Sequence, residues 1–455
     1  MKKKFLSALV CSTLFVSVMP NVFAETDADK TEVIAPIQIG EYMQMGTYYG
    51  EPILWRCVAY EKVTGVDEEN GYSITDSTDT VTEYEDGYLP LMVSDKIICI
   101  KAFDANTSAN STTGSHSRDL YEKRNHGSNY WGDSNMRSWL NSDASAGNVE
   151  WLCGNPPSAE NIKFGYNPYA DEAGFLTNFS EDERAAMQTA KIKSLVGSCE
   201  WSKHFYTTGS AKHEYNHDID LVVQNYKTAY AETVTDTMFL LDVQQVNTIY
   251  KNTNILGDEY FRAKLTDKAA AYSDFQGQSG GLNGGANHSY WLRTPDATAG
   301  LYGYFEKYTD YYDTGTRYVT SYTTSGQGEV SEAYTHYGSF GVRPAFYLNT
   351  DTQFDGGSGS ETEPFTGAYV PQPEIEVTVD GNTITNTSDY GGKAAVIVAY
   401  YDANGALKTV SSQTVEFAAN GEEGYTCTVS FEGTDTHKVF VWNSLKGMKP
   451  LDVRE

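Results

Sequence analysis

Apolar and polar positions alternate in short runs through most of the chain, and only two stretches show helical spacing. Residues 37–60, IQIGEYMQMGTYYGEPILWRCVAY, predict short strands joined by a Gly-containing turn. Residues 90–103, PLMVSDKIICIKAF, predict a further strand pair, and the Ser, Thr, Asn and Gly of 104–129 predict a loop. In 130–142 the residues Met136, Trp139 and Leu140 recur at i, i+3 and i+4, one face of a helix that Asp133 or Ser134 can cap. In 179–192 Ser180 and Glu183 have the spacing of a capping box, with Ala186, Met187 and Ala190 as the buried face. TMFLLDVQQV, 237–246, reads as a buried strand running into polar residues, and GVRPAFYLN, 341–349, as a closing strand.

The texture changes at 351. Residues 351–372 have the Gly, Ser and Pro of a linker. From 373 to 455 period-two alternation returns, with DGN and DANG as hairpin turns, which predicts a small β-sandwich of the Ig-like kind. At the other end three lysines precede an apolar run that closes on Ala24. This predicts a secretory signal peptide over 1–24, a main domain over 25–350, and no membrane insertion once the leader is cut.

Composition adds three constraints. The chain has 33 basic and 61 acidic residues and a net charge of −28, which loss of Lys2, Lys3 and Lys4 with the leader makes more negative. Such a surface repels nucleic acid and anionic membrane. Cys57, Cys99, Cys153, Cys199 and Cys427 remain after the leader. An odd, irregularly spaced set is no disulfide framework, although Cys153 and Cys199 can pair, and Cys57 and Cys99 sit in apolar runs as buried thiols. The 34 tyrosines suit strands and supply contact area at low entropic cost.

The ordered set G-x-Y…ILWRC, WGDSNMRSWLN, FSEDERAAM, TDTMFLLDV, YWLRTP and GVRPAFYLN resembles an uncharacterised domain family of secreted and surface proteins of gut-type Gram-positive bacteria. The likeness runs from about 37 to 350. Thr237, Met238 and Asp242 depart from the family's usual Lys, Val and Ser. The resemblance implies location and fold more than chemistry. The element order and closing G-V-R are similar to the C-type-lectin-like fold shared with formylglycine-generating enzymes. The fold class expected is therefore α+β, a C-type-lectin-like main domain followed by the sandwich. The last 80 or so residues, with VFVWNSLKGMKPL, resemble an accessory β-domain found at the ends of clostridial-type secreted proteins.

Two candidate sites follow. The first is HEYNH at 213–217, the pattern in which His213 and His217 on one helical turn hold zinc and Glu214 activates its water, with Glu232 as a third ligand. Its flanks lack helical periodicity, and DIDLVV after it alternates like a strand, so a polar hairpin with a chance match is preferred. The second is the Tyr-rich late segment, with Tyr302, Tyr304, Tyr311 and Tyr312 beside Tyr290, Trp291 and Arg293. Aromatic faces there can stack on sugars or on protein side chains. Arg293, Arg343 and Arg137 also admit a plainer role, pairing a buried acid to fix a loop. The acidic run at 75–87 lacks calcium-loop spacing. The sequence thus predicts a secreted or surface-associated, non-catalytic binding or adhesion-type protein. It would recognise an extracellular glycan or protein, with no catalytic residue, metal or cofactor. A zinc metallopeptidase and a ligand-free envelope module are the alternatives.

Overall fold

The structure is a computed structural model. It describes residues 35–67, 71–74, 80–81, 87–106, 126–152, 155–163, 167–195, 219, 231–258, 260–273, 282–295, 315–319, 330–371, 375–418, 425–426, 436–443 and 450–451. The predicted signal peptide, the acidic run 75–79 and 82–86, the HEYNH stretch, most of the Tyr-rich segment, and Cys153, Cys199 and Cys427 lie outside the described residues.

The strands in chain order are β1 (Tyr42–Tyr48), β2 (Glu51–Asp67), β3 (Gly71–Ile74), β4 (Thr80–Val81), β5 (Tyr88–Ser94), β6 (Cys99–Lys101), β7 (Met187–Gln188), β8 (Ala190–Leu195), β9 (Ala231–Asp236), β10 (Phe239–Leu240) and β11 (Tyr290–Pro295). They continue with β12 (Gly315–Val319), β13 (Val330–Tyr334), β14 (Phe340–Val342), β15 (Pro344–Leu348), β16 (Val377–Asp380), β17 (Thr383–Asn386), β18 (Gly392–Tyr401), β19 (Leu407–Phe417), β20 (Tyr425–Thr426) and β21 (Thr436–Trp442). Among the described residues five short α-helices interrupt them: α1 (Asn135–Leu140), α2 (Glu181–Ala185), α3 (Val243–Lys251), α4 (Thr253–Leu256) and α5 (Asp267–Ala271).

The protein is therefore mostly β, with a curled main sheet, and this corrects the expected α+β class. The reason is local. The helix expected over 179–192 keeps its capping box, with Ser180 Oγ accepting from Glu183 N and Glu183 Oε2 from Ser180 N. It stops at Ala185, because AKIKSL alternates and pairs as β8 with β9. Ala186, Met187 and Ala190 are buried, but the latter two lie on strands. The opposite change occurs at 237–246. Only Phe239 and Leu240 are strand. Asp242 then N-caps α3 in a second capping box with Gln245, a D-x-x-Q signal the alternation reading passes over. The helix expected around Met136, Trp139 and Leu140 forms, capped by Ser134.

The largest sheet runs β10-β15-β5-β2-β3-β8-β9, with β1 and β4 also on β2 and β7 on β15. Its central strands are buried on both faces: every residue of β5 is buried, as are Trp55 to Glu61 on β2. That explains their continuous apolar runs. A second sheet, β13-β12-β11-β14-β6, shares the same hydrophobic core through Tyr290, Trp291, Val342 and Ile100. Gly46 sits at φ +73, and a Cβ there would meet the Phe179 ring at 2.3 Å. Phe179 thus packs where only glycine leaves room.

The segment expected as a linker is ordered along β1. Tyr42 N donates to Gly359 O and Phe365 N to Tyr42 O, while Phe354 and Phe365 stack at 4.7 Å. A second, smaller hydrophobic cluster includes Val377, Ile384, Val396, Val398, Phe417 and Val441. It lies between the sheets β16-β17-β20 and β19-β18-β21. Among the described residues no helix is long and apolar enough to cross a membrane.

Candidate functional site

Tyr290, Trp291 and Arg293 do not border a surface. They lie on β11 with every residue of that strand buried. Tyr290 Oη donates to Phe261 O and Trp291 Nε1 to Lys101 O. Arg293 is only 3% exposed; its Nη2 donates to Asp242 Oδ2 at 2.7 Å and its Nη1 to Leu240 O and Gln245 Oε1. This is the plainer role, a cation fixing a buried acid at a helix start. All three side chains are thus packed inside the protein. Arg137 likewise pairs with Asp236 at 2.6 Å. Arg343, fully buried, donates instead to the carbonyls of Ser94, Asp95 and Tyr260.

The Arg293 cluster continues inward. Gln245 Nε2 donates to both oxygens of Glu61, and Tyr347 Oη donates to Glu61 Oε2. Burial pushes the Glu61 carboxyl up to about 7, against the lowering effect of the Tyr347 and Gln245 hydrogen bonds. The cluster ties β2, β11, β15 and α3 together and is sealed from solvent, so it is a structural pin.

Tyr302, Tyr304, Tyr311 and Tyr312 lie outside the described residues, as do His213 and His217. Glu232 is described: it sits on strand β9 and accepts a hydrogen bond from Tyr130 Oη at 3.1 Å. Among the described residues no group of three or more His, Cys, Asp or Glu is placed to hold a metal. Cys57 and Cys99 are buried free thiols, each with its pKa raised by burial.

An open cleft lies elsewhere, with a volume of about 310 Å³, at the small end of the range for ligand sites. Four separate stretches line it: 48 and 51–54 around the β1–β2 turn, 95–98 after β5, 265–268 at the start of α5, and Gly284 with Gly285. Its floor is apolar (Ile53, Ile98 and Leu265), while Glu51, Asp95, Asp267, Lys96 and Lys268 supply charge. A Cβ on Gly284 would fall 1.7 Å from Asp267 Oδ1, so glycine is required for the two loops to approach. Burial raises the Asp95 carboxyl, and Arg343, Lys96 and Arg56 oppose the rise.

An aromatic shelf adjoins the cleft. Tyr48 pairs with Glu51 across a two-residue turn whose members, Tyr49 and Gly50, have φ of +51 and +78. Such a turn favours Asn or Gly at its first position. A tyrosine there holds left-handed backbone at a cost of about 1 kcal/mol. The strain sets the Tyr49 ring flat on Tyr272, centroids 4.4 Å apart and planes 12° apart, and Tyr272 is 57% exposed. Lys268, a cleft residue, lies 5.9 Å over Tyr272 and 3.9 Å from Glu51. Behind the cleft, Tyr48 Oη donates to Glu172 Oε2 and Lys101 Nζ to Glu172 Oε1 at 2.6 Å, and Lys101 packs over Trp139 and Tyr169. The shelf is thus backed by an ion pair whose lysine is buried and whose carboxylate is partly exposed.

Sequence reasoning missed this cleft. Its signals were slight: a Tyr-Tyr-Gly-Glu turn, the Thr266 cap of α5, and a Gly-Gly pair. No curated protein matches the chain. The model of a domain of unknown function, DUF6273, matches residues 91–350, and the chain belongs to that family.

Proposed function

We propose that this is a secreted or surface-associated, non-catalytic binding protein that takes a glycan at the cleft beside the Tyr49–Tyr272 shelf. The observation that carries the reading is an aromatic stack, half-buried Tyr49 on exposed Tyr272, held by a strained turn at the mouth of a carboxylate-lined cleft. An aromatic face packs on sugar C–H groups, and carboxylates and lysines accept from and donate to hydroxyls. Strain kept at a surface turn is more readily explained by a site that uses it than by folding. Secretion rests on the leader-like N-terminus, and a C-type-lectin-like arrangement of the main domain rests on the order of its motifs.

The test is a glycan array probed with the protein and with Tyr272→Ala. Loss of a stacking face worth about 1 kcal/mol or a little more lowers affinity roughly fivefold to tenfold. Tyr272 is exposed, so the fold survives. Absence of any glycan signal, or signal unchanged in Tyr272→Ala, would overturn the reading.

A further inference from the structure

Asparagine is followed by glycine at four places in the chain, 70, 283, 404 and 420. Two of these pairs, Asn283-Gly284 and Asn404-Gly405, lie wholly within the described residues. Such a pair is open to attack on the asparagine side chain, because glycine has no Cβ to hinder its own backbone nitrogen. All four residues are exposed. The turns that hold them differ. Ala286 N donates to Asn283 O at 3.1 Å, so Asn283 opens its turn and Gly284 is an inner residue whose N–H the turn does not use. Gly285, at φ +77, donates to Leu265 O at 2.8 Å, while Gly284 N has no acceptor among the described residues. Gly405 instead closes its turn, its N donating to Asp402 O at 2.9 Å, and Asn404 N donates to Asp402 Oδ1 at 2.9 Å.

We infer that Asn283, next to a wall of the cleft, is a site of spontaneous deamidation with water as the co-reactant. Gly284 N attacks Asn283 Cγ and the Cγ–Nδ2 bond breaks. Nδ2 leaves as ammonia, taking the proton that Gly284 N loses, and a cyclic imide remains. Water then opens the imide. Attack at Cγ restores the peptide bond and leaves aspartate. Attack at the main-chain carbonyl leaves isoaspartate, with the chain running through Cγ. In sum, an amide and a water become a carboxylic acid and ammonia.

The packing of this loop keeps the reactive pair in place. A Cβ on Gly284 would fall 1.7 Å from Asp267 Oδ1 and 2.8 Å from Asp267 Cα, so no bulkier residue can stand there to slow the attack. Either product puts a carboxylate at 283, beside a cleft already lined by Glu51, Asp95 and Asp267. Isoaspartate also adds a methylene to the backbone just before Gly284 and Gly285, which line the cleft and are tied to Leu265. The inference is independent of the glycan reading, since it needs only the turn and water.

Peptide mapping by tandem mass spectrometry tests it, on the whole folded protein sampled during incubation in mildly alkaline buffer. Deamidation adds about 1 Da to the peptide that holds the asparagine. An amide tied in one hydrogen bond must lose that bond before it attacks, which slows it about twofold to tenfold. Asn283 is therefore expected to convert about twofold to tenfold faster than Asn404 in the folded protein. In urea both turns are lost and both amides are free, so the two rates should come together. Asn283→Gln, whose longer side chain closes a larger ring far more slowly, should leave its peptide unconverted and so separate the site from Asn287. Conversion at Asn283 no faster than at Asn404, an excess that persists unchanged in urea, or a peptide that still converts in Asn283→Gln overturns the inference.

Discussion

Replacing Arg293 by Met should destabilise the protein far more than an ordinary point change. The guanidinium makes three short hydrogen bonds in a sealed site, 2.6 Å to Leu240 O, 2.7 Å to Gln245 Oε1 and 2.7 Å to Asp242 Oδ2. Methionine fills the volume but leaves the Asp242 carboxylate, itself 3% exposed, without its cation. Breaking a buried pair from one side costs about 3–5 kcal/mol, because the remaining charge stays desolvated. Asp242 keeps the hydrogen bond from Gln245 N at 2.8 Å that caps α3, which favours the lower end. Against a total stability of about 5–15 kcal/mol this is a large fraction. Urea unfolding is the assay: the midpoint should fall with m unchanged. Adding Asp242→Asn, which caps the helix without a charge, should recover part of the loss. A cost under about 1 kcal/mol, or no recovery in the double variant, refutes the reading of this cluster as a pin built on a desolvated ion pair.

Three further outcomes follow from the same geometry. Lys101→Met should cost less, about 1–2 kcal/mol by thermal or urea melt, because its partner Glu172 is 33% exposed and regains water when the cation is lost. Gly46→Ala should cost about 2 kcal/mol or more in the same melts, since the alanine must hold φ +73 with its Cβ driven into Phe179. Glu61 has a folded pKa of about 7, above the usual carboxylate value, so the folded state holds its proton more tightly than the unfolded chain. That contribution is fully present below the unfolded pKa and is lost as pH rises to about 7, a change on the order of 3 kcal/mol at most. The difference in urea midpoint between the native protein and Glu61→Gln should therefore shift between pH 4.5 and 7 and level off above; a difference flat across that window contradicts it.

Much of the fold was legible because the signals are local. The strand runs at 42–60 and 88–101, the Ser134-capped helix and the Ser180–Glu183 box depend on near neighbours. The errors came where one pattern fits two periods. Ala186, Met187 and Ala190 have helical spacing, yet long-range pairing of Met187 with β15 and Ala190 with β9 decided for strand at the last two. The site was much less legible. Tyr290, Trp291 and Arg293 drew attention as aromatic and cationic residues, yet the same chemistry serves a core whose acid, Asp242, is far away in sequence. The cleft is assembled from stretches more than 200 residues apart, and nothing in any one of them marks it. The Tyr49 turn, where a tyrosine holds a backbone that favours glycine, does depart from local preference.

Hydrogen exchange of the protein, with and without the glycan that binds best on the array, tests the account most directly. Slowed exchange is expected at 48–54, 95–98, 265–272 and 284–285, the cleft and its shelf, with the Tyr272→Ala protein losing that protection. Protection confined to 302–322 or to 213–217, with the cleft unchanged, would place recognition elsewhere and contradict the assignment.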